Sequence, residues 1–230
     1  MGEKKRKEAK VARWKKVLVV GACVLFVVLM IVSGMGYSWL SMFSSVKSGQ
    51  VVEVAFTLYD AAGNPVITSE QEVYTKAIGE GRAVLGAETI TLVANQTLNI
   101  DYFPVNAYIP TTGEVAVFGI TANEFDTISS AIVGMRTNEQ KTLIIAPTTE
   151  LEKFNAVEDL NDSGIDLANV SIGDVLGMTV YGFTELNPTI NSTPNTYLRL
   201  GEITRKTTGG IVVDGNYPRA DIRVVQFGST

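Results

Sequence analysis

Histidine is absent from this chain, and cysteine occurs once, at Cys23. Without an imidazole there can be no Ser-His-Asp triad, no Cys-His dyad and no His-containing zinc site. A single thiol rules out an intrachain disulfide, so stability has to come from packing. The sequence also lacks a G-x-x-x-x-G-K-[ST] phosphate loop, an H-E-x-x-H pair, a G-x-S-x-G elbow and any pair of C-x-x-C steps, which removes the motif-borne nucleotide, metalloprotease and hydrolase chemistries. Asn155 to Asp166 (NAVEDLNDSGID) is acidic but does not follow the EF-hand ligand spacing, and reads as a solvated loop.

Positive charge is scarce outside one short stretch. Residues 1 to 16 hold eight Lys/Arg against Glu3 and Glu8, and the rest of the chain carries eleven Lys/Arg against twenty-two Asp/Glu, a net charge of −11. Phosphate recognition needs clustered cations, so the folded part is not expected to bind nucleic acid. Directly after the basic head, Val17 to Val32 (VLVVGACVLFVVLMIV) is apolar, and no charge appears before Lys47. At ~1.5 Å per residue, the roughly 24 residues from Val17 to Leu40 could cross a ~30 Å hydrocarbon layer, with Trp14 at one end and Tyr37 and Trp39 at the other as interfacial aromatics. The Lys/Arg bias then predicts a single-pass signal anchor at the cell membrane, with a cytoplasmic N-terminus and an extracytoplasmic main domain. A cleaved signal peptide is the alternative, although no Ala-x-Ala-like site follows the run. Val20-Gly21-Ala22-Cys23 has the composition of a lipoprotein box, but the long apolar run lies after it rather than before it. Four Asn-x-Ser/Thr sequons, at Asn95, Asn161, Asn169 and Asn191, fit an external, glycosylated domain.

At 230 residues and 46% hydrophobic content the chain can bury a core of one or two domains. After a polar linker at 44–50, Val51 to Tyr59 alternates as a strand does, Asp60 to Pro65 supplies a turn, and Val66 to Thr68 returns. Residues 70–117 are too long for an unstructured loop, and their content (ETITLV, QTLNIDY, VNAYIP, EVAVFGI) suggests a β insertion. A short helix is expected over Ser129 to Met135, and strands over Gln140 to Ala146, Tyr197 to Thr204 and Ile222 to Phe227.

Two segments, Ile128 to Pro147 (ISSAIVGMRTNEQKTLIIAP) and Ile211 to Ala220 (IVVDGNYPRA), resemble FKBP-type prolyl isomerases, in particular the SlyD-like branch, in which a flap domain interrupts the sheet. Val51 to Ser69 resembles the family's first hairpin. The resemblance implies an α+β fold: a transmembrane helix, then an FKBP-like antiparallel sheet with one short packed helix, plus β-rich insertions. It divides the chain into a head (1–16), an anchor (17–43), a main domain (51–147 and 210–230) and a flap (148–209). It implies an apolar pocket made of Phe56, Ile67, Phe118, Phe125 and Ile128, with Phe125 offering its backbone N–H to the substrate carbonyl and Leu151 standing where the family has a pocket Tyr. Thr68 replaces the family's Asp, Tyr217 its His and Arg219 a Leu. Prolyl isomerisation must overcome a resonance barrier of ~18–20 kcal/mol. Desolvating the imide and binding its twisted form can accomplish this without acid-base groups, so neither cofactor nor metal is implied. Two readings follow: a weakly active isomerase and chaperone for exported proteins, acting on proline-containing or unfolded segments, or a catalytically inactive FKBP-like binding or structural module of an envelope complex. An envelope β-protein unrelated to FKBPs is the third.

Overall fold

The computed structural model describes residues 18–30, 33, 44–183 and 193–228, in two compact units, 1–44 and 45–230. In the first unit, residues 18–30 and residue 33 are helical. Among the described residues no helix is long and apolar enough to cross a membrane. This overturns the expected transmembrane helix and, with it, the single-pass placement at the cell membrane. The basic head, Trp14, Tyr37, Trp39 and the sequon at Asn191 lie outside the described residues.

The second unit departs from the expected α+β fold with its antiparallel sheet and one helix. Twelve strands join in one mixed sheet with few helices. β1 (Val51–Tyr59), which is buried over Val54–Tyr59, pairs with three other strands. β12 (Arg219–Phe227) pairs antiparallel along the length of β1. The opposite edge of β1 is shared by β2 (Pro65–Thr68), opposite Thr57 to Tyr59, and β4 (Ile90–Val93), opposite Val51 to Val54. The turn between β1 and β2 is held by Asp60, whose carboxylate accepts from the Asn64 N–H at 2.7 Å, while Gly63 takes a φ of 83°.

The insertion accounts for much of the difference. It contributes helix α1 (Gln71–Gly79), β3 (Leu85–Ala87), β4 and β5 (Tyr102–Tyr108). β3 runs parallel to β2, and β5 pairs antiparallel with both β3 and β6 (Val115–Thr121). Helix α2 (Ala122–Ala131) begins and ends earlier than expected. Thr121 and Glu124 form a capping box that fixes its start, and the chain turns at Gly134 with a φ of 85°. β7 (Gln140–Ile144) then pairs with β12.

The flap region supplies β8 (Glu152–Ala156), helix α3 (Val157–Asp162), β9 (Val175–Gly182) and β10 (Asn195–Thr207), and the chain returning to the main domain opens with β11 (Gly210–Asp214). They pair antiparallel in the order β8-β11-β10-β9, and β10 meets β6 in parallel at Leu198 opposite Phe118. A small cluster of Leu160, Val170, Met178, Ile203, Ile211 and Val213 lies inside this region. The main cluster gathers residues of β1, β2, β12, α2 and the insertion.

Gly210 opens β11 at a φ of 148°, and a Cβ there would run into the carbonyl oxygen of Asn155 on β8. Gly210→Ala should therefore destabilise the protein by about 1–3 kcal/mol in urea unfolding. An unchanged midpoint would show that the β8–β11 pairing is not as tight as described.

Candidate functional site

The expected pocket residues do converge. Phe56, Ile67, Phe118, Phe125 and Ile128 share one cluster, and each is no more than 2% exposed. They form a closed core rather than the wall of an open cavity. The insertion provides part of the cover: the Phe103 ring lies 4.9 Å from that of Phe125, and Val105 and Ala107 join the same cluster. It is also stapled to α2. The Leu98 N–H donates to Asp126 at 2.7 Å, the Gln96 N–H donates to the Ser129 hydroxyl at 2.7 Å, and that hydroxyl donates to the Val93 carbonyl at 3.0 Å. Phe125 is the fourth residue of α2, where an α-helix uses the N–H in its own i to i−4 bond. Leu151 is buried but lies outside the cluster, at the end of a 3₁₀ turn, and its carbonyl accepts from the Gly215 N–H at 3.0 Å. Thr68 shares a 2.6 Å hydrogen bond with Thr57 inside the sheet.

The rest of the cover comes from the flap, through a residue the sequence reading did not single out. Arg199 on β10 is fully buried and reaches Glu124, which is itself only 2% exposed. Its Nη1 donates to Glu124 Oε2 at 2.9 Å and its Nη2 to Oε1 at 2.7 Å, a bidentate pair. Nη1 also donates to the Gly119 carbonyl at 2.6 Å. Nη2 and Nε donate to the Gly215 carbonyl at 2.7 and 3.3 Å. All five guanidinium N–H groups are thus used. The carboxylate is completed by the Thr121 N–H, which donates to Oε2 at 2.8 Å.

Aromatic rings enclose the pair. The guanidinium carbon lies 4.3 Å from the Tyr217 ring centroid and 5.5 Å from that of Phe118, within cation–π range. Tyr217 acts as a clamp: its hydroxyl donates to the Leu200 carbonyl at 2.7 Å and accepts from the Leu200 N–H at 3.1 Å. Burial pushes the Tyr217 phenol well above its usual pKa, against the pull of the Arg199 charge. Burial works against the charge on Arg199, but Glu124 more than restores it, so its pKa is raised and the guanidinium stays ionised.

An open groove lies elsewhere, in the flap. Leu160, Met178 and Val213 are buried at its base, Leu176 and Ile165 are half-buried, and Lys153, Asp159 and Asp162 bring charge to it, around a cavity of about 450 Å³. It lies beside β8 and β9, each of which has one strand partner among the described residues and so an edge that none of them pairs. Phe154 on β8 and Tyr181 on β9 are 56% and 64% exposed.

The buried pair generates a direct test. Arg199→Met should cost about 3–5 kcal/mol, because it strands the Glu124 charge in the core. Adding Glu124→Gln, which keeps an acceptor for the Thr121 N–H, should recover at least half of that loss in a double-mutant cycle. If the single variant costs under about 1 kcal/mol, or the second change restores nothing, the two groups are not coupled as the distances imply.

Neither a family model nor a curated protein matches this chain, so the roles of the sealed core and the open flap groove have to be drawn from their own geometry.

Proposed function

We propose that this chain is a polypeptide-binding module of the FKBP/SlyD type, in which the flap takes up extended or unfolded segments and the main domain does not catalyse prolyl isomerisation. The observation that supports it most is the burial of Phe56, Ile67, Phe118, Phe125 and Ile128 in one closed core, with the Arg199–Glu124 pair seated over Phe118. An isomerase has to bring the X-Pro imide onto such residues and hold it twisted. Here the imide would first have to displace a guanidinium with five hydrogen bonds, leaving Glu124 buried without its partner. That penalty is several kcal/mol, set against a resonance barrier that catalysis must lower.

The flap has what binding an extended chain requires. Free strand edges offer backbone donors and acceptors for β-addition, and neighbouring apolar hollows hold alternate side chains. Leu176, Ile165 and Met178 line such a hollow next to β9.

Two measurements on the folded protein test this proposal. Cis/trans exchange of a short X-Pro peptide should proceed at the uncatalysed rate even at high protein concentration. A permanently unfolded polypeptide should bind, and Leu176→Asp should weaken that binding at least ~10-fold by placing a charge in the hollow. Accelerated exchange would return the main domain to the isomerase reading. Unfolded-chain binding that ignores Leu176→Asp would remove the flap from the account.

A further inference from the structure

The insertion also builds a second surface, on the sheet face opposite the core. Residues opposite one another in an antiparallel ladder project to the same side. Gly86 on β3 faces Tyr108 on β5, and Tyr108 faces Val115 on β6. These three form a row, and the next row pairs Asn106 with Val117. Tyr108, Val115 and Val117 are 44%, 67% and 42% exposed, an unusual run of apolar surface on one face. Helix α1 closes the other side. Its Tyr74 ring lies over Gly86, so closely that a Cβ there would sit 3.2 Å from the ring. Glycine thus lets the Tyr74 ring lie against β3, and the resulting cavity of about 400 Å³ is lined by Tyr74, Gly86, Tyr108, Val115, Asn106 and Glu88.

The charge at this groove is one-sided. Glu88 is exposed and has no hydrogen-bond or ion-pair partner among the described residues. The groove's other carboxylate, Glu70, is already held by Arg223 at 2.8 and 3.0 Å. The chain beyond residue 16 is strongly acidic, so a cationic partner gains both from the local carboxylate and from the surrounding field.

We infer that this groove binds an extended, proline-rich segment of another protein that carries a Lys or Arg, with prolyl rings between Tyr74 and Tyr108 and the cation at Glu88. A polyproline II helix is already extended and makes no internal hydrogen bonds. It therefore brings flat apolar rings to an aromatic groove at low entropic cost, and its free carbonyls can accept from the tyrosine hydroxyls and the Asn106 amide. This surface is separate from the flap groove, and its occupant is defined by proline content and charge rather than by being unfolded.

Fluorescence anisotropy with the full chain and a fluorescein-labelled peptide of alternating proline and leucine ending in arginine tests the assignment. The wild type should bind it at least tenfold more tightly than the same peptide with its prolines changed to alanine. Tyr108→Ala should weaken binding at least tenfold. Glu88→Lys should weaken the arginine peptide and leave a version with alanine in place of that arginine unaffected. Circular dichroism of each variant establishes that it is folded, which the exposure of Tyr108 and Glu88 favours. The assignment is overturned by either of two results: equal affinity for the proline-free peptide, or a folded Tyr108→Ala variant that binds as well as wild type. Self-association of the chain through this face, abolished by Tyr108→Ala and accompanied by no peptide binding, would also overturn it in favour of a second copy as the occupant.

Discussion

Burying an arginine next to a glutamate is costly, and the rest of this structure is organised around making it tolerable. Taking both charges out of water carries a penalty that only near-complete hydrogen bonding can offset. Arg199 meets that requirement with donations to Glu124, Gly119 and Gly215. The acceptors come from different parts of the chain: β6, the first turn of α2 and the turn after β11. Each has to be in register before the guanidinium is satisfied, so the pair acts as a check on how the flap meets the sheet. Tyr217 adds a second clamp on the same strand through Leu200.

The same interaction separates what the chain keeps closed from what it leaves open. With Arg199 over Phe118 and with Phe103 against Phe125, the apolar cluster is covered from two directions, one by the flap and one by the insertion. Open apolar surface survives on the outer sides of the two arms: the hollow beside β9, and the row of Gly86, Tyr108 and Val115 on the far side of the sheet. Both neighbour exposed sheet elements, a position that suits partners presented as extended chain. The two arms that close the centre are thus the same ones that present the outer grooves.

Much of the local structure was legible in the sequence. Period-two alternation and the Asp60 to Pro65 turn locate β1 and β2, and the strand character of Tyr197 to Thr204 lies inside β10. The start of α2 was written in Thr121 and Glu124, a capping box three residues apart that fixes the helix earlier than the resemblance suggested. The apolar side chains Phe56, Phe118 and Ile128 look alike whether they line a pocket or fill a core. Only the tertiary approach of Phe103 and Arg199 decides between these outcomes, and no local pattern encodes it. Arg199 did leave one trace: alternation puts it on the same side of β10 as Tyr197 and Ile203, both buried. Its charge argues for the opposite side, and the carboxylate that reverses the argument lies 75 residues earlier. The apolar run after Val17 carried a membrane expectation on length and composition alone, whereas no helix among the described residues is long and apolar enough to cross a membrane.

Native-state hydrogen exchange on the wild-type protein tests the central claim, that the buried pair ties the flap to the core, most directly. If Arg199 holds β10 and β11 to the sheet, the amides of Leu200 and Val213 should open with the same free energy, and the same denaturant dependence, as those of Phe56 and Leu58 in β1. A separate, lower-energy opening of the flap amides, with the β1 amides still fully protected, would contradict it.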